Sequence, residues 1–332
     1  MRYIETKDLE ALAIGATLLG SGGGGDTAYA LIRTKQLIEM HGPIQLLSVD
    51  ELEDDALIVP IGYMGAPLVC IEKLPNALEC RALLQSVERY FGKKVSALVA
   101  AEIGGSNAFT PLCVAAELGI PVVNGDTIGR AFPELQMSSC NVFGVSTAPA
   151  FIADCRGNVA TLTCQNAAQV EMYFRALCTA MGSTAAICLY LMNGSQARKA
   201  LIPHTLTRCI ELGGDPLSHC KVIARGVISD VEQKIEEGFL CGKICIETAS
   251  SQFLVEFQNE FLMVFEHDQV KAATPDIIAL LDAETGLPLS VEQVKFGLKV
   301  DIAFLPCDPI WKTEKGLSLV GPEAFGYKGG VA

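Results

Sequence analysis

Gly20-Ser21-Gly22-Gly23-Gly24-Gly25-Asp26 is the stretch around which the rest of this 332-residue chain is arranged. Apolar residues recur at helical spacing on both sides of it, over residues 9–19 and 28–38. A run of glycines costs backbone entropy and buries no side chain, so it is typical of backbone that approaches another group closely. Backbone N–H groups at a helix start attract anions and carbonyl oxygens. The stretch therefore predicts a binding loop with amide donors at Gly22, Gly23, Gly24 and Gly25, and with Asp26 as the N-cap of the second helix.

A flexible connector between two helices is the alternative interpretation, but a shorter turn would serve that purpose. The stretch is not a P-loop, because the Gly-Lys-Ser/Thr ending is missing. It is not a dinucleotide-binding fingerprint either, because a predicted helix precedes it where that fingerprint requires a strand.

The composition favours a protein of two domains with a sizeable core. Half of the residues are hydrophobic, the mean hydropathy is +0.35 and the net charge is −13. This charge argues against nucleic acid and anionic membranes as partners. The N-terminus has no apolar signal core, and the longest apolar runs are too short to span a bilayer. Thirteen cysteines without such a signal indicate reduced thiols and a cytoplasmic location. High apolar content with few charges favours a homo-oligomer.

Strands and helices alternate over residues 1–215, with short glycine loops after the strands, which predicts an α/β domain. Residues 216–332 change to a period of two and predict a smaller, mainly β domain, barrel-like or a sandwich. We expect strands at residues 44–47, 56–61, 95–101, 122–123 and 184–192, and a helix or turn at 275–282. In α/β sheets, ligands gather beyond the carboxyl ends of the strands.

Three polar glycine loops follow predicted strands, at residues 62–67, 102–107 and 124–130. Together with the first loop they contribute three carboxylates, Asp26, Glu102 and Asp126. Carboxylates that share a cleft shift one another's pKa and can divide acid and base roles. Arg130 is expected to bind a substrate carboxylate, with Glu134 nearby. The alternatives are capping and turn roles for the two aspartates, and an internal salt bridge between Arg130 and Glu134.

Other chemistries have weaker support. None of the four histidines lies in a glycine loop, which excludes a His-rich zinc site there. A mixed site that uses His204 or His219 with a carboxylate or cysteine stays open. Cys241 and Cys245 lie in a strand-like region and are typical of buried small hydrophobes. The nucleophile elbow G-x-S-x-G is absent, and nothing distinguishes one cysteine as a nucleophile.

The chain resembles the S-methyl thiohydantoin desulfurase family over nearly its whole length. The resemblance rests on a set of motifs: Gly20–Asp26, Met64-Gly-Ala-Pro67 with Glu72-Lys73, Glu102-Ile-Gly-Gly-Ser-Asn107, Asp126-Thr-Ile-Gly-Arg-Ala-Phe-Pro-Glu134, Asn259-Glu260, Pro275-Asp276 and Val320-Gly-Pro-Glu-Ala-Phe-Gly-Tyr327. It implies an α/β domain followed by a mainly β domain. It also implies a hydrolase in which water replaces the methylthio group of an S-methylated thiohydantoin, releasing methanethiol and leaving a hydantoin.

Such chemistry needs a deprotonated water, a donor to the ring nitrogen and a proton for the leaving thiolate. We therefore expect Asp126 or Glu102 as base, with the other or Asp26 as acid. The substrate is expected to be a small cyclic amide or imide-like compound. We expect backbone amides of residues 22–25 and 104–107, among them Gly104 and Gly105, to donate hydrogen bonds to it, and Asn107 to orient the ring. The other expected contacts come from Arg130, Glu134, Met64 and Gly65. A bound zinc is the alternative activator of the water.

Two other functions stay open. Genes of this family often neighbour hydantoinase/oxoprolinase-type enzymes, so the chain is alternatively a non-catalytic partner of such an enzyme, with the β domain as interface. The other open function is that of a protein that binds or senses a small ligand without converting it.

Overall fold

A computed structural model describes residues 2–65, 69, 72–75, 78–236 and 238–327. Ala66 and Pro67 of the expected second glycine loop lie outside the described residues. The helices of the described part are α1 Leu9–Leu19, α2 Ala28–His41, α3 Leu78–Phe91, α4 Thr110–Leu118, α5 Ser139–Val142, α6 Ala167–Ala180, α7 Gly194–Ala200, α8 Thr205–Gly214 and α9 Glu314–Val320. None of them is long and apolar enough to cross a membrane.

The first sheet is mixed. Its strands are β1 Arg2–Ile4, β2 Ile44–Leu47, β3 Leu57–Gly65, β4 Ala97–Ala100, β5 Val122–Asp126, β6 Ala150–Ala153, β7 Val159–Leu162, β8 Thr184–Cys188, β9 Met192–Asn193 and β10 Ile202–Pro203. They follow the order β1-β2-β5-β4-β3-β8-β6-β7, with β9 beside β3 and β10 beside β5. The four strands β2, β5, β4 and β3 are parallel. Their carboxyl ends therefore meet at one edge of the sheet.

Apolar residues cover both faces of this sheet, as parallel strands require. One core joins it to α1, α2, α3, α4 and α8, and a second core joins the other face to α6 and α7. The central strand β4 shows the reason for this layering, because all four of its side chains are buried and none could face water.

The second sheet is antiparallel throughout. Its strands are β11 Lys221–Glu236, β12 Phe239–Glu247, β13 Gln252–Gln258, β14 Glu260–Glu266, β15 Gln269–Ala273, β16 Ile277–Asp282 and β17 Lys299–Leu305, in the order β15-β14-β13-β12-β11-β17-β16. The expected α/β domain followed by a mainly β domain is thus confirmed. The expected boundary between residues 215 and 216 stays a prediction; the strands of the two sheets lie on either side of it.

The prediction of a helix or turn at residues 275–282 was wrong, because Ile277–Asp282 is strand β16. Ile277, Ala279 and Leu281 pack into the core of the α/β domain. Ile278 and Leu280 pack into the core of the second sheet. A strand buried on both faces has a continuous apolar run rather than alternation, so its sequence does not distinguish it from a buried helix. This strand therefore contributes side chains to the cores of both domains.

The strand expected at 184–192 is interrupted. It divides into β8 and β9, and Tyr190 between them has a positive φ of 55°. The Tyr190 hydroxyl donates a hydrogen bond to the carbonyl of Leu135 at 3.1 Å. Residues 189 and 190, at this break, line a cavity at the carboxyl edge of the parallel strands.

Candidate functional site

A cavity of about 150 Å³ lies at the carboxyl edge of the parallel strands. The glycine loops that the sequence predicts to converge do meet there. Of the expected site residues, its wall contains Gly23, Gly24, Gly25, Met64, Gly65, Glu102, Asn107 and Glu134. The wall also contains Asn259 and Glu260, at the turn between β13 and β14, and Glu292, between β16 and β17; these three were not expected. Both sheets therefore contribute to one site.

The first glycine loop is fixed by contacts with the second sheet. The Ser21 hydroxyl donates to the carbonyl of Ile278 at 2.8 Å. The amide of Phe261 donates to the carbonyl of Ser21 at 2.6 Å, and the amide of Val291 donates to the carbonyl of Gly22 at 2.9 Å. These hydrogen bonds place residues 23–25 against the cavity and hold the loop in one conformation.

Close packing explains why this loop is made of glycine. Gly24 has a φ of +79°, and a Cβ there would lie 2.4 Å from the carbonyl oxygen of Gly104. A Cβ on Gly22 would meet the ring of Phe261, and one on Gly23 would meet the carboxylate of Glu260. Gly22, Gly104 and Gly105 therefore serve loop packing, and these three do not line the cavity.

Asp26 does not occupy the helix position that the sequence predicts. The helix α2 begins at Ala28 and its N-cap is Thr27, so the prediction of Asp26 as N-cap was wrong by one residue. The Asp26 side chain still accepts a hydrogen bond from the Ala28 amide, at 2.6 Å. Asp26 is exposed and lines a neighbouring cavity instead of the one that holds Glu102.

Glu102 lies on the cavity wall, and hydrogen bonds fix the position of its carboxylate. Its Oε1 accepts a hydrogen bond from Asn107 Nδ2 at 2.6 Å. Asn107 also bonds both backbone groups of Tyr63: its Oδ1 accepts from the amide at 2.7 Å and its Nδ2 donates to the carbonyl at 3.1 Å. Burial raises the pKa of Glu102 to about 7, with a contribution from the nearby charge of Asp126. A carboxylate with a pKa near neutrality is suited to act as a general base.

Asp126 lies behind this wall and is fully buried. Its carboxylate accepts hydrogen bonds from the amides of Ile103, Ile128 and Gly129, at 2.8 to 3.0 Å. Burial raises its pKa to about 7, and these amides oppose that shift. The arrangement joins two glycine loops and leaves the carboxylate outside the cavity, so its geometry favours the support of the loops over contact with substrate.

Arg130 does not line the cavity either, and it is fully buried. Its Nη1 donates to the carbonyls of Pro275 and Asp276, each at 2.8 Å, and its guanidinium lies 4.4 Å from the ring centroid of Phe132. Burial lowers its pKa to about 10, and the charge of Glu260 opposes this most. Arg130 thus connects the two sheets, where the sequence had suggested a substrate carboxylate as its partner.

Glu260 is the main site residue that sequence reasoning missed. It begins β14, is 3% exposed and lines the cavity. Burial raises its pKa well above the usual value, and Glu102 adds to this while Arg130 opposes it. Its Oε2 has no hydrogen-bond partner among the described residues. The available signal was the turn that holds it: Asn259 has a φ of +57° and accepts from the amide of Leu240.

Glu134 and Glu292 complete the acidic part of the wall. Burial raises the pKa of each. Glu134 accepts a hydrogen bond from Gln136, and no ion pair between Glu134 and Arg130 exists among the described residues. The alternative of an internal salt bridge between these two residues is therefore wrong.

Neither histidine suggested for a metal lies at this cavity. His204 and His219 are both exposed. In the part of the chain that the structure describes, no three His, Cys, Asp or Glu residues are grouped so that they could hold a metal ion. Cys241 and Cys245 are half-buried on β12 and lie outside the core of the second sheet, so the prediction that they are buried small hydrophobes was wrong.

Comparison with known proteins places the chain in a family. The family model described as "S-Me-THD-like, N-terminal domain" matches residues 7–164, and "S-Me-THD-like, C-terminal domain" matches residues 165–216 and 214–331. A crystal structure of a protein from Chromobacterium violaceum has a TM-score of 0.81 and 24% identity, covering 100% of this chain and 99% of that one. At that identity the likeness shows the fold alone. No curated protein matches the chain. The two domain matches cover nearly the whole sequence, and the chain therefore belongs to the S-Me-THD-like family, the S-methyl thiohydantoin desulfurase family that its motifs resemble.

Proposed function

We propose that this protein is a hydrolase that replaces the S-methyl group of an S-methylated thiohydantoin with water and releases methanethiol. The observation that carries the proposal is a pair of carboxyl groups, Glu102 and Glu260, on one cavity wall: Asn107 donates a hydrogen bond to Glu102, whereas Glu260 Oε2 has no partner among the described residues. Environments that separate the pKa values of two groups assign them the roles of base and acid. Glu102, whose charged form the hydrogen bond from Asn107 favours, is the base, and Glu260, whose pKa is raised by burial and by the charge of Glu102, keeps its proton.

The addition step uses both groups. Glu102 accepts a proton from water as the water oxygen bonds to the ring carbon that carries sulfur. Glu260 donates its proton to the ring nitrogen as the carbon–nitrogen double bond becomes single. The product is a neutral tetrahedral adduct that carries a hydroxyl and the methylthio group. Gly24 and Gly25 line the cavity, and their amides would hold a ring carbonyl oxygen.

The collapse step returns both protons. Glu260 takes the hydroxyl proton as the carbonyl forms and the carbon–sulfur bond breaks. Glu102 then donates its proton to the departing thiolate, which leaves as methanethiol. Both carboxyl groups return to their starting states, and the ring retains the proton on nitrogen. Asn107 supports both steps, since it fixes Glu102 Oε1 and the backbone of Tyr63 at once.

The test is the release of thiol from a panel of ring compounds. Purified protein would be mixed with S-methylated thiohydantoins, unmethylated thiohydantoins and hydantoins. We expect methanethiol from the S-methylated ring alone, a loss of about 10²- to 10⁴-fold in Glu102→Gln, and retained turnover in the control Glu88→Gln. A parallel arm with a chelator decides whether zinc has a part in the reaction, for which the described residues offer no ligand group.

If no compound of the panel releases thiol, the hydrolase proposal is overturned. Co-purification with a hydantoinase/oxoprolinase-type enzyme would then favour the role of partner subunit, and ligand-dependent melting without product would favour a binding protein. A cytoplasmic location goes with the hydrolase proposal, because thirteen cysteines suit a reducing compartment that keeps thiols reduced.

A further inference from the structure

Four carboxyl groups line the cavity at the carboxyl edge of the parallel strands, those of Glu102, Glu134, Glu260 and Glu292. The proposed reaction uses Glu102 and Glu260, and the other two have no part in it. Like charges in one cleft oppose one another, and each of these groups has a pKa above its ordinary value. An occupant that carries positive charge would relieve this repulsion.

The cationic side chains near this wall are engaged elsewhere. Among its described lining residues only Arg175 is cationic, and it forms an ion pair with Glu171. Arg175 also donates to the carbonyl of Pro133 at 3.3 Å, and its guanidinium lies 4.3 Å from the ring centroid of Phe239. Arg130 lies behind the wall, with its Nη1 bonded to two backbone carbonyls. The wall therefore has an excess of negative charge whenever its carboxyl groups are ionised.

Two carboxylate oxygens of this wall lack a partner. Glu260 is 3% exposed, and its Oε2 has no hydrogen-bond partner among the described residues. Its Oε1 lies against the first glycine loop, where a Cβ on Gly23 would overlap it. Glu292 Oε2 is likewise buried and without a partner in the part of the chain that the structure describes. A buried acceptor left unpaired costs free energy, so both oxygens favour an occupant that brings N–H donors.

A planar organic cation suits this wall better than a metal ion does. Within the described residues, no three His, Cys, Asp or Glu side chains are grouped so that they could hold a metal. An organic cation spreads its charge and its N–H donors over several atoms, so it can reach carboxyl groups that do not converge on one point. The cavity volume of about 150 Å³ has room for one five-membered ring.

We propose that this cavity binds cyclic amidinium cations, five-membered rings with a protonated N–C–N unit, through the unpaired oxygens of Glu260 and Glu292. Rings of this class include cyclic guanidinium and isothiouronium compounds. The inference concerns the ring and not the groups attached to it. It goes beyond the proposed hydrolase activity, because it requires the cavity and no reaction.

Binding of such a ring should release a proton. The carboxylic acid of Glu260 becomes a carboxylate, its proton passes to the buffer, and the ligand keeps its own proton. Glu102 and Glu292 face Glu260 and disfavour its charged form, whereas Arg130 favours it. Asp26 similarly disfavours the charged form of Glu292. A bound cation acts against these repulsions, so its affinity should rise with pH.

Calorimetry with two rings of one shape tests the inference without turnover. 2-Aminoimidazoline is a cyclic guanidinium at neutral pH, and imidazolidin-2-one is the neutral ring with oxygen in place of the amino group. We expect the cation to bind on the order of tenfold to a hundredfold more tightly at pH 8 and to lose affinity toward pH 6. Its binding enthalpy should vary with the ionisation enthalpy of the buffer in the direction of proton release. Equal affinity of the two rings, or proton uptake, would overturn the inference.

Variants locate the effect on the wall. Glu260→Gln and Glu292→Gln each remove one carboxylate and should reduce the affinity ratio of cation to neutral ring on the order of tenfold. Glu284→Gln is the matched control, because Glu284 lies on the same connection between β16 and β17, is 77% exposed and does not line the cavity. It should keep the wild-type ratio. A wild-type ratio in Glu260→Gln or Glu292→Gln, with an unchanged melting curve, would contradict the assignment.

The outcomes separate this inference from the hydrolase proposal. If the two rings bind equally while methanethiol is still released from an S-methylated thiohydantoin, the inference alone is overturned. If the cation binds more tightly and no thiol is released, the hydrolase proposal alone is overturned. The comparison of the two rings on the wild-type protein remains decisive if Glu260→Gln fails to fold.

Discussion

Replacing Glu102 with glutamine should remove turnover and at the same time stabilise the protein above neutral pH. The substitution keeps the shape of the side chain, and its amide oxygen can still accept the hydrogen bond from Asn107 Nδ2. In the wild-type protein, burial raises the pKa of Glu102 from 4.5 to about 7. The folded protein therefore retains this proton over a pH range in which the unfolded chain has lost it.

The direction of the effect follows from that order of pKa values. The wild-type protein loses stability as the pH rises from about 4.5 to about 7, and the loss is complete above the folded pKa. The difference between the two pKa values corresponds to about 3 kcal/mol, most of which falls between pH 5 and pH 8. Glutamine does not titrate, so the variant lacks this part of the pH dependence.

The assay is urea denaturation of both proteins at the two pH values. The free energy of unfolding of the wild-type protein should fall more steeply with pH than that of Glu102→Gln. Glu88→Gln is the matched control of opposite sign. Glu88 accepts from Lys94 and from the amide of Val95, and these contacts lower its pKa. Because Glu88 is near the surface, its removal should cost less than about 1 kcal/mol above its pKa. Parallel pH profiles for the wild-type protein and Glu102→Gln would refute the assignment of a base with a raised pKa.

Two further predictions concern the glycine loop and the acid. Gly24→Ala should destabilise the protein by more than about 2 kcal/mol in urea denaturation, because its Cβ would overlap the carbonyl of Gly104. Gly92→Ala has a similar positive φ and no neighbour within 4 Å, so it should cost only about 1 kcal/mol, and equal losses would contradict the packing explanation. Wild-type turnover should rise with pH as Glu102 ionises and fall again as Glu260 loses its proton. In Glu260→Gln the remaining turnover should lack the fall at high pH, and an unchanged pH–rate profile would remove Glu260 from the mechanism.

The convergence of the glycine loops was predictable because it depends on local signals. A buried apolar strand followed by a glycine loop places that loop at the carboxyl edge of a parallel sheet, whatever the rest of the chain does. Glu102 and Asn107 were found in this way, and the structure places both on the cavity wall. The change from a mixed to an antiparallel sheet was predictable for a similar reason, since the hydrophobic period changes from helical to two.

The roles of Asp126 and Arg130 were harder to predict. A charged residue in a glycine loop either faces the ligand or supports the loop, and both uses favour the same residue types at the same spacing. The structure distinguishes them by direction, because the Asp126 carboxylate faces three backbone amides and the Arg130 guanidinium faces carbonyls of the second sheet. The direction in which a side chain points depends on tertiary contacts, and the local sequence does not reveal them.

Glu260 was missed for a related reason. Its local sequence is a tight turn between two strands, where a solvated glutamate is ordinary. Its burial comes from the first glycine loop, which packs over it from far away in the sequence. Strand β16 was missed because its two faces contact two different cores.

The contact between Ser21 and Phe261 has a consequence for the synthesis of the protein. The two residues are 240 positions apart in the sequence. A ribosome that adds about 5–20 residues per second needs roughly 12 to 48 seconds to reach the second from the first. Throughout that interval the glycine loop has been made but lacks the strands that hold it. The nascent chain therefore lacks a complete cavity wall until its last quarter emerges, and a premature stop in the second sheet yields a polypeptide with every glycine loop and without the strands that hold the first one.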